Sequence, residues 1–419
     1  MSNGSEYDAV IVGASLAGCA AATLLGRSGA RVALIEQHPD PAAFKRICSH
    51  FIQSSAIPTL ERLGWLGPIE QAGGVRSRFR GWTRWGWIEP TDKPSVPPSV
   101  NLRRERLDPL MRGMTAETQG VELVLGATVD RVVSERGRAV GVETVERGGE
   151  RTTFRGSVVI GADGRDSRVA DLAAVPSRTT PHGRFAYGGY YEGPPPAGAP
   201  NATVWFLDPD WAAAFPTDAG LTFYACMPTA ARLEQFRGDP QHALERFVAD
   251  LPEAPPIAAS RLVSPLLGKL KMPNLKRGPV APGLALIGDA ALATDPLWGV
   301  GCGWALQSAE WLADSIAPAL RGGEPLDRGL QRYRRRFRRT LGPHQWMIDG
   351  YARGRRLDPG ERLVFSAAAH DDKVADLFEA FGTRNIGPAR FLSQALPRAL
   401  VVRTRRLAGR RMPAPQAAT

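Results

Sequence analysis

The opening strand, turn and helix of the chain constrain its fold most strongly. The apolar run 9–12 predicts a buried strand of a parallel sheet, Gly13 predicts a tight turn, and the small residues of 19–25 predict a helix that follows at once. A second apolar strand is predicted over 31–35, and it leads into the acidic residue Glu36. Strand, turn, helix, strand and acid in this order are typical of a dinucleotide-binding unit.

The turn between the first strand and the helix has the chemistry of a phosphate site. Gly13 permits the sharp turn, and Gly18 lets the helix pack closely on the strand. Ser15 stands where the G-x-G-x-x-G pattern has its middle glycine, and serine is small enough for close backbone approach. The helix N-terminus offers unpaired N–H groups and a positive dipole end to a pyrophosphate, and Glu36 can accept hydrogen bonds from ribose hydroxyls. The residues assigned to this contact are Gly13, Ser15, Leu16, Ala17, Gly18 and Glu36.

Length and cysteine content limit the class of protein. A chain of 419 residues suits two interleaved domains. No apolar run reaches the roughly 18–20 residues that span a bilayer, and no basic segment followed by an apolar stretch marks a secretory signal. The four cysteines are scattered without a C-x-x-C pair or a metal-ligand spacing, so a cytoplasmic protein without a metal site is expected.

The net charge of +11 comes mainly from arginine near the C-terminus. The clustered residues are Arg332, Arg334, Arg335, Arg336, Arg338, Arg339, Arg403, Arg405, Arg406, Arg410 and Arg411. Such clusters can bind nucleic acid or anionic lipid, but a solvated helix face is the simpler interpretation, and no nucleic-acid motif accompanies the charge. Because Leu392, Leu396 and Leu400 interleave with the last arginines, a weak membrane-surface helix stays open as an alternative.

The middle of the chain has a different pattern from its ends. From 187 to 228 it alternates short aromatic-rich strands and turns, which predicts an antiparallel sheet covered on one side. Helices are predicted over 55–63, 102–119, 241–251 and 303–320, and the remainder of the C-terminal part is predicted to be helical. A further hairpin, 140–145 with 152–155, precedes a buried strand at 157–160.

Three motifs in order resemble the para-hydroxybenzoate-hydroxylase-like superfamily of FAD enzymes, which includes single-component aromatic hydroxylases, geranylgeranyl reductases and flavin-dependent halogenases. The first is the opening 13–18 unit with Glu36. The second, 159–169, resembles the family segment G-A-D-G-x-x-S-x-V. The third, 286–301, resembles G-D-A-A followed by P-x-x-G-x-G, and 104–108 resembles the R-x-x-L-D helix start that contacts FAD.

The resemblance implies FAD as the cofactor. Asp289 would hold a ribitol hydroxyl, and the helix after the third motif would direct its N–H groups at the flavin N1–C2=O2 edge, where reduced flavin carries negative charge. Cys302 lies beside this loop, where a packing role is expected. Further cofactor residues implied by the resemblance are Arg46, Arg104, Val129, Asp163, Gly164, Asp289, Pro296, Gly299, Val300, Gly301 and Cys302.

The implied fold class is α/β: a Rossmann-like FAD-binding fold of the glutathione-reductase type, interleaved with a mainly antiparallel β-sheet substrate domain and followed by a helical C-terminal region. The expected divisions are FAD-binding parts at 1–80, 101–172 and 279–340, an excursion into the substrate domain at 81–100, the β-sheet substrate domain at 173–278, and a helical region with a basic tail at 341–419.

The implied chemistry is NAD(P)H-driven monooxygenation. NAD(P)H, visiting transiently, would reduce FAD, molecular oxygen would add at flavin C4a, and the hydroperoxide would hydroxylate or epoxidise an aromatic or polyketide- or terpenoid-like small molecule. Such a reaction needs a dry, apolar pocket with a few polar groups. The candidate pocket residues are His50, Tyr187, Tyr190, Trp205, Trp211, Phe215 and Tyr224, although each aromatic could instead be sheet core. No catalytic acid or base is assigned.

Two departures and two neighbouring motifs keep other chemistries open. Leu292 and Gly303 replace residues that hydroxylases of this superfamily usually carry. The segment 211–220 resembles the Y-x-W-x-F-P strand of geranylgeranyl reductases, which favours alkene reduction as the alternative. The W-x-W-x-x-P segment at 85–90 lies too early for a halogenase, and nothing recommends Lys45 as a halogenase lysine. A flavin-binding protein without turnover is a further alternative.

Overall fold

A computed structural model describes residues 6–409 of the chain, so Arg410 and Arg411 lie outside the described residues. The helices are α1 (Leu16–Arg27), α2 (Ile57–Leu63), α3 (Leu66–Gln71), α4 (Arg104–Ala116), α5 (Arg168–Leu172), α6 (Pro240–Ala249), α7 (Gly301–Leu320), α8 (Leu326–Ala352), α9 (Pro359–Ala368), α10 (Asp372–Gly382) and α11 (Pro388–Gly409).

The strands form two large and two small sheets. They are β1 (Glu6–Val12), β2 (Val32–Glu36), β3 (Phe51–Ile52), β4 (Val75–Ser77), β5 (Phe79–Thr83), β6 (Gly86–Ile88), β7 (Ser99–Asn101), β8 (Val121–Leu125), β9 (Thr128–Glu135), β10 (Arg138–Val145), β11 (Arg151–Gly161), β12 (Ser177–Thr180), β13 (Ala186–Glu192), β14 (Ala202–Phe206), β15 (Trp211–Pro216), β16 (Thr222–Met227), β17 (Arg261–Leu262), β18 (Leu267–Lys269), β19 (Asn274–Arg277), β20 (Val280–Ala281), β21 (Leu284–Leu286) and β22 (Leu292–Ala293).

The first large sheet is built around the opening strand. Its order is β20–β21–β11–β1–β2–β8, with β10 joined to β11 and β9. The pairs of β1 with β2, β1 with β11, and β11 with β21 are all parallel. The expected strand–turn–helix–strand unit is present, and α1 begins at Leu16 rather than at residue 19. All of α1 except Arg27 is buried, so the small residues serve close packing on the sheet.

One predicted break in this sheet is absent. The expected hairpin strand 152–155 and the buried strand 157–160 form the single strand β11. Gly156 lies at the expected break, and a Cβ at this position would lie 3.0 Å from the Val10 side chain. Glycine therefore lets β11 run past β1 without interruption.

The second large sheet carries the aromatic segment. Its order is β17–β13–β16–β15–β14–β5–β6, with β18 joined to β13, and its pairs are antiparallel except for β14 with β5. Both faces of this sheet are covered, since every residue of β14 and β15 is buried. The expectation of a sheet covered on one side is therefore wrong. One face packs on α6, and the other faces the third motif and the C-terminal helices.

The C-terminal part is helical, as expected. α7 packs between α1 and α8, while α9, α10 and α11 form a separate packed group. Within residues 6–409, no helix is long and apolar enough to cross a membrane.

Candidate active site

The three sequence motifs meet at the carboxyl ends of β1, β11 and β21. A Cβ at Gly13 would lie 2.6 Å from the Ala162 carbonyl oxygen, and a Cβ at Gly288 would lie 3.1 Å from the Ala17 Cβ. Gly13 and Gly288 both adopt positive φ angles, of 102° and 56°. The second and third motifs thus press against the opening turn, and the ligand site of an open α/β sheet is expected at this edge.

A buried arginine from a later helix supports the opening turn. Arg104, at the start of α4, donates from Nη2 to Ser15 Oγ over 2.7 Å and from Nε to Asp108 Oδ1 over 2.7 Å. Asp108 also accepts a hydrogen bond from the Lys45 amide at 3.0 Å. Burial by itself would lower the pKa of the Arg104 guanidinium. The Asp108 carboxylate has the larger opposite effect and keeps this pKa well above its ordinary value.

A third charged residue on the same face of α4, Arg112, also supports the opening turn. The sequence motifs did not predict it. Arg112 lies two helical turns after Arg104 and donates to the carbonyls of Ala14, Pro41 and Ala43. The spacing of Arg104, Asp108 and Arg112 by four residues places them on one helix face, which was the available signal. Because this face is buried, its three charged side chains fix the turn and the following loop.

The acidic residue at the end of β2 closes the same turn. Glu36 accepts hydrogen bonds from the amides of Ala14 at 2.9 Å and His38 at 3.0 Å. The Ala127 amide donates to the Glu36 carbonyl at 3.1 Å, which brings the start of β9 and the buried Val129 alongside. The segment that leads into β9 therefore lies beside the end of β2.

The second motif folds back on itself. Asp163 accepts hydrogen bonds from Ser167 Oγ at 2.6 Å and from the Val169 amide at 2.9 Å. Burial raises the pKa of this carboxyl. Gly164 has a φ of 83° and open space around its missing side chain. Asp163 therefore shapes the turn, while Gly164 leaves its solvent side clear.

The third motif places a carboxylate beside a bare helix end. Asp289 forms a 2.8 Å ion pair with Lys45, whose side chain is half exposed. α7 begins at Gly301, and no side chain of residues 6–409 caps its N-terminal amides. A Cβ on Gly301 would lie 4.0 Å from Asp289 Oδ1, so the carboxylate and the helix start are adjacent. Arg46, next to Lys45, is exposed on its loop.

The loop before α7 is held by a buried histidine–aspartate pair. Asp295 accepts from the Leu297 amide at 2.8 Å and lies 2.6 Å from His182 Nε2. The Arg184 amide donates to His182 Nδ1, so Nε2 carries the proton and donates to Asp295. Pro296 and Gly299, with a φ of 60°, then complete a fixed loop.

An apolar cavity adjoins this loop. It is about 50 Å³ in volume and has Pro296–Gly299 on one side and the inner face of the second sheet on the other. Its lining residues are Ser49, Phe51, Gln53, Phe79, Ala202, Val204, Phe206, Trp211, Ala212, Ala213, Phe215, Ala225, Met227, Pro296, Leu297, Trp298, Gly299, Gly382 and Thr383. No lysine lines it within the described part of the chain.

Only part of the predicted pocket faces this cavity. Trp211 and Phe215 line it. Tyr187, Trp205 and Tyr224 pack instead on the opposite face, in the core under α6, which corrects their assignment to the pocket. Side chains alternate between the two faces of a strand, so neighbouring aromatics in β13, β14 and β16 point in opposite directions.

His50 and Tyr190 form a polar pair behind the cavity. Tyr190 Oη lies 3.0 Å from His50 Nδ1, and the two rings are stacked. His50 is fully buried between two cavity residues, Ser49 and Phe51, and its Nε2 has no hydrogen-bond partner among the described residues. Burial lowers the pKa of His50 to about 3 and raises that of Tyr190, so both are neutral near pH 7.

Comparison with known proteins assigns the family. The "FAD binding domain" family matches residues 6–341. The chain belongs to this family. It is therefore a member of a FAD-dependent oxidoreductase family, and the resemblance drawn from the three motifs is confirmed.

Relatives and solved structures with a similar fold carry several flavin chemistries. A digeranylgeranylglycerophospholipid reductase of Methanothrix thermoacetophila is 25% identical over 355 residues, covering 80% of this chain and 84% of the reductase. PqsL, a probable FAD-dependent monooxygenase from Pseudomonas aeruginosa, superposes with a TM-score of 0.70 at 21% identity, covering 91% of this chain and all of PqsL. The flavin-dependent brominase Bmp2 gives a TM-score of 0.76 at 17% identity, with 97% and 100% covered.

The helix ends of this FAD-binding protein fit a bound FAD. Among the described residues, no side chain caps the N-terminal amides of α1, which follows the opening turn, or of α7, which follows the third motif. Their free amide groups therefore suit the pyrophosphate and the flavin carbonyl. Asp289 lies beside the start of α7, and Arg104 contacts Ser15 immediately before α1.

Several site residues had no clear signal in the sequence. Gly382 and Thr383 reach the cavity from the C-terminal end of α10. Gln53 donates to the carbonyls of Trp298 at 2.7 Å and Gly382 at 3.1 Å. These bonds connect the Pro296–Gly299 loop to the C-terminal end of α10. Trp298 was visible as the aromatic inside the third motif, but the other residues come from segments without any motif.

Proposed function

We propose that this FAD-dependent oxidoreductase is an NAD(P)H-driven monooxygenase that hydroxylates or epoxidises a small, largely apolar molecule. The observation that carries the proposal is the apolar cavity between the Pro296–Gly299 loop and the inner face of the second sheet. Bound FAD would supply the two-electron reduction and the reaction with oxygen. The chain itself would bind the substrate, exclude water and stabilise charge.

The roles of the residues follow from their places. The free amides at the start of α7 would stabilise negative charge on the reduced flavin. Trp211, Phe215 and Trp298 would hold an apolar ring and keep water out. His50 Nε2, neutral and without a hydrogen-bond partner among the described residues, would offer one hydrogen bond or a site for a proton.

The cavity size argues for a compact substrate. A cavity of about 150 Å³ binds benzene in another protein, so one of about 50 Å³ must widen before an aromatic ring enters. Because Gly382 and Thr383 lie at a helix end, a small shift of α10 would widen it. Because a long prenyl chain would require a much larger opening, we keep alkene reduction as the second candidate.

The test is NAD(P)H oxidation in air by the yellow protein, with hydrogen peroxide measured alongside. The proposal expects that a true substrate accelerates NAD(P)H use, lowers peroxide release and gains one oxygen atom from labelled O₂. Anaerobic saturation of an alkene by the reduced protein, without oxygen incorporation, would contradict it and favour the geranylgeranyl-reductase-like reaction. The second reaction is retained because of Phe215-Pro216 and the 25% identical reductase.

We also propose a weak membrane-surface contact through α11. Leu392, Leu400, Val401 and Leu407 are exposed on this helix, and 388–409 contains arginine but no acidic residue. Leucine and arginine on one exposed face suit an anionic lipid surface. Sedimentation with anionic vesicles, but not with zwitterionic ones, is expected. A Leu400→Asp variant that sediments as fully as the wild type would contradict it.

A further inference from the structure

Two cysteines from distant parts of the chain meet beside the cofactor site. Cys48 lies in the coil between β2 and β3, and Cys302 lies in the first turn of α7. Their Sγ atoms are 3.6 Å apart across a sequence separation of 254 residues. A disulfide needs about 2.05 Å between the sulfurs. The two sulfurs must therefore approach each other by about 1.5 Å to be joined.

The surroundings make Cys48 the reactive member of the pair. The His50 amide donates to Cys48 Sγ at 3.2 Å, and Arg104 Nη1 donates to it at 3.5 Å. The Cys302 thiol, Arg104 and Lys45 lower the pKa of Cys48, while its neighbour raises the pKa of Cys302. One thiolate, on Cys48, and one thiol, on Cys302, therefore share a proton between them.

The other two cysteines provide an internal contrast. Cys19 and Cys226 are fully buried. Burial raises the pKa of Cys19 to about 12 and also raises that of Cys226. Buried thiols of this kind are inert, whereas Cys48 is partly exposed and faces positive charge.

We propose that Cys48 and Cys302 form a peroxide-reactive dithiol in which Cys48 is the attacking residue and Cys302 the resolving residue. The Cys48 thiolate attacks hydrogen peroxide, so that an S–O bond forms, the O–O bond breaks, and hydroxide leaves and takes the Cys302 proton as water. The Cys302 thiolate then attacks the Cys48 sulfur, and the second hydroxide leaves and is protonated by solvent. Two thiols are oxidised to one disulfide, and peroxide is reduced to two waters.

The dithiol lies where a flavoprotein can produce hydrogen peroxide. Reduced flavin that reacts with oxygen without a substrate releases hydrogen peroxide, and the dithiol lies between Arg104 and the start of α7. The disulfide would remove the thiolate that faces Arg104 and tie the Cys48 loop to α7. Oxidation would thus change the charge and the structure beside the cofactor site. The reaction with added peroxide is independent of the proposed monooxygenase activity.

The test is mass spectrometry of the FAD-loaded full chain after addition of equimolar hydrogen peroxide. The expected result is loss of two hydrogens in the intact mass, reversed by a dithiol reductant, and a cross-linked peptide pair containing Cys48 and Cys302. Before oxidation, Cys48 should react with iodoacetamide at pH 7 at least about tenfold faster than Cys19 or Cys226. An unchanged intact mass, or equal alkylation of all four cysteines, would overturn the proposal.

Single variants separate the two roles. Cys302→Ser should stop at a sulfenic acid on Cys48, which dimedone traps, and Cys48→Ser should not react with peroxide. Cys19→Ser is the matched control and should form the disulfide as the wild type does. Dimedone labelling of Cys302 in the Cys48→Ser protein would overturn the assignment of roles. If a variant fails to fold, the Cys48–Cys302 cross-link in the wild-type protein still tests whether the two cysteines form a peroxide-reactive pair.

Discussion

The cofactor side and the substrate side of this molecule are built on different principles. At the cofactor side, glycines and helix ends form the surface, and the backbone geometry decides what can bind. At the substrate side, large side chains of the second sheet form the surface, and the strand register decides which of them face the cavity. Local sequence signals therefore determine the first surface, whereas the second depends on contacts between distant segments.

We expect the largest change in FAD affinity when one methyl group is added at the opening turn of the cofactor side. Gly13→Ala would place a Cβ 2.6 Å from the Ala162 carbonyl oxygen at a φ of 102°. The left-handed conformation alone costs about 1–2 kcal/mol for a non-glycine residue, and the clash adds to it. We expect FAD affinity to fall by about 100-fold or more, measured by flavin fluorescence titration.

The matched control for this variant is Gly149→Ala. Gly149 has a φ of 83° but open space around it. It should lose stability from backbone strain alone and keep its FAD affinity. If Gly13→Ala binds FAD as tightly as Gly149→Ala does, the contact between the first two motifs has no role in binding.

The next prediction compares the two faces of the substrate sheet. Trp211→Phe and Trp205→Phe each remove part of a buried indole, and each should lower the free energy of unfolding by about 1–2 kcal/mol. Only Trp211 lines the cavity. We therefore expect only Trp211→Phe to raise the KM of the substrate found by the oxidation assay and the fraction of peroxide released. Equal kinetic effects of both variants would contradict the assignment of faces.

A third prediction concerns the buried pair at the boundary between the two sides. The pKa of His50 is lowered from 6.5 to about 3, so the unfolded chain binds this proton first as the pH falls. His50 therefore contributes stability above pH 6.5 that is lost as the pH falls from 6.5 towards 3. The slope from one such group is at most about 1.4 kcal/mol per pH unit. Chemical denaturation between pH 6.5 and 4 should show a shallower slope for His50→Gln than for the wild type. Equal slopes would contradict a neutral buried His50.

The smallest effect is expected on the exposed loop of the cofactor side. Lys45 pairs with Asp289, whereas Arg46 is exposed. Lys45→Ala should change the Kd of FAD by several-fold, and Arg46→Ala by less than about threefold, because exposed charges contribute little. A larger effect of Arg46→Ala, in the same fluorescence titration, would show that this arginine reaches the cofactor.

Much of the fold could be predicted from the sequence, and the reasons are local. The opening strand, the turn at Gly13 and the acid at Glu36 follow from apolar runs and glycine, and the family from motifs in a fixed order. The boundaries were less predictable: tertiary packing extends α1 to Leu16 and keeps β11 continuous through Gly156.

The substrate side could be predicted only in part. Strand alternation separates Trp205 from its neighbours, but the sequence does not tell which face of the sheet turns towards the cofactor. The position of Phe215 beside Phe51, with ring centres 5.6 Å apart, settles this only in three dimensions. Thr383 and the Cys48–Cys302 contact join segments far apart in the chain, and no local pattern encodes such meetings.

We infer that the three motifs hold FAD permanently next to the cavity. The most direct measurement is the flavin content of the purified protein, from its visible absorbance and protein concentration, for the wild type and for Asp289→Ala. We expect about one tightly held FAD per wild-type chain and a clearly lower content in the variant. A colourless wild-type protein that takes up no added FAD would contradict it.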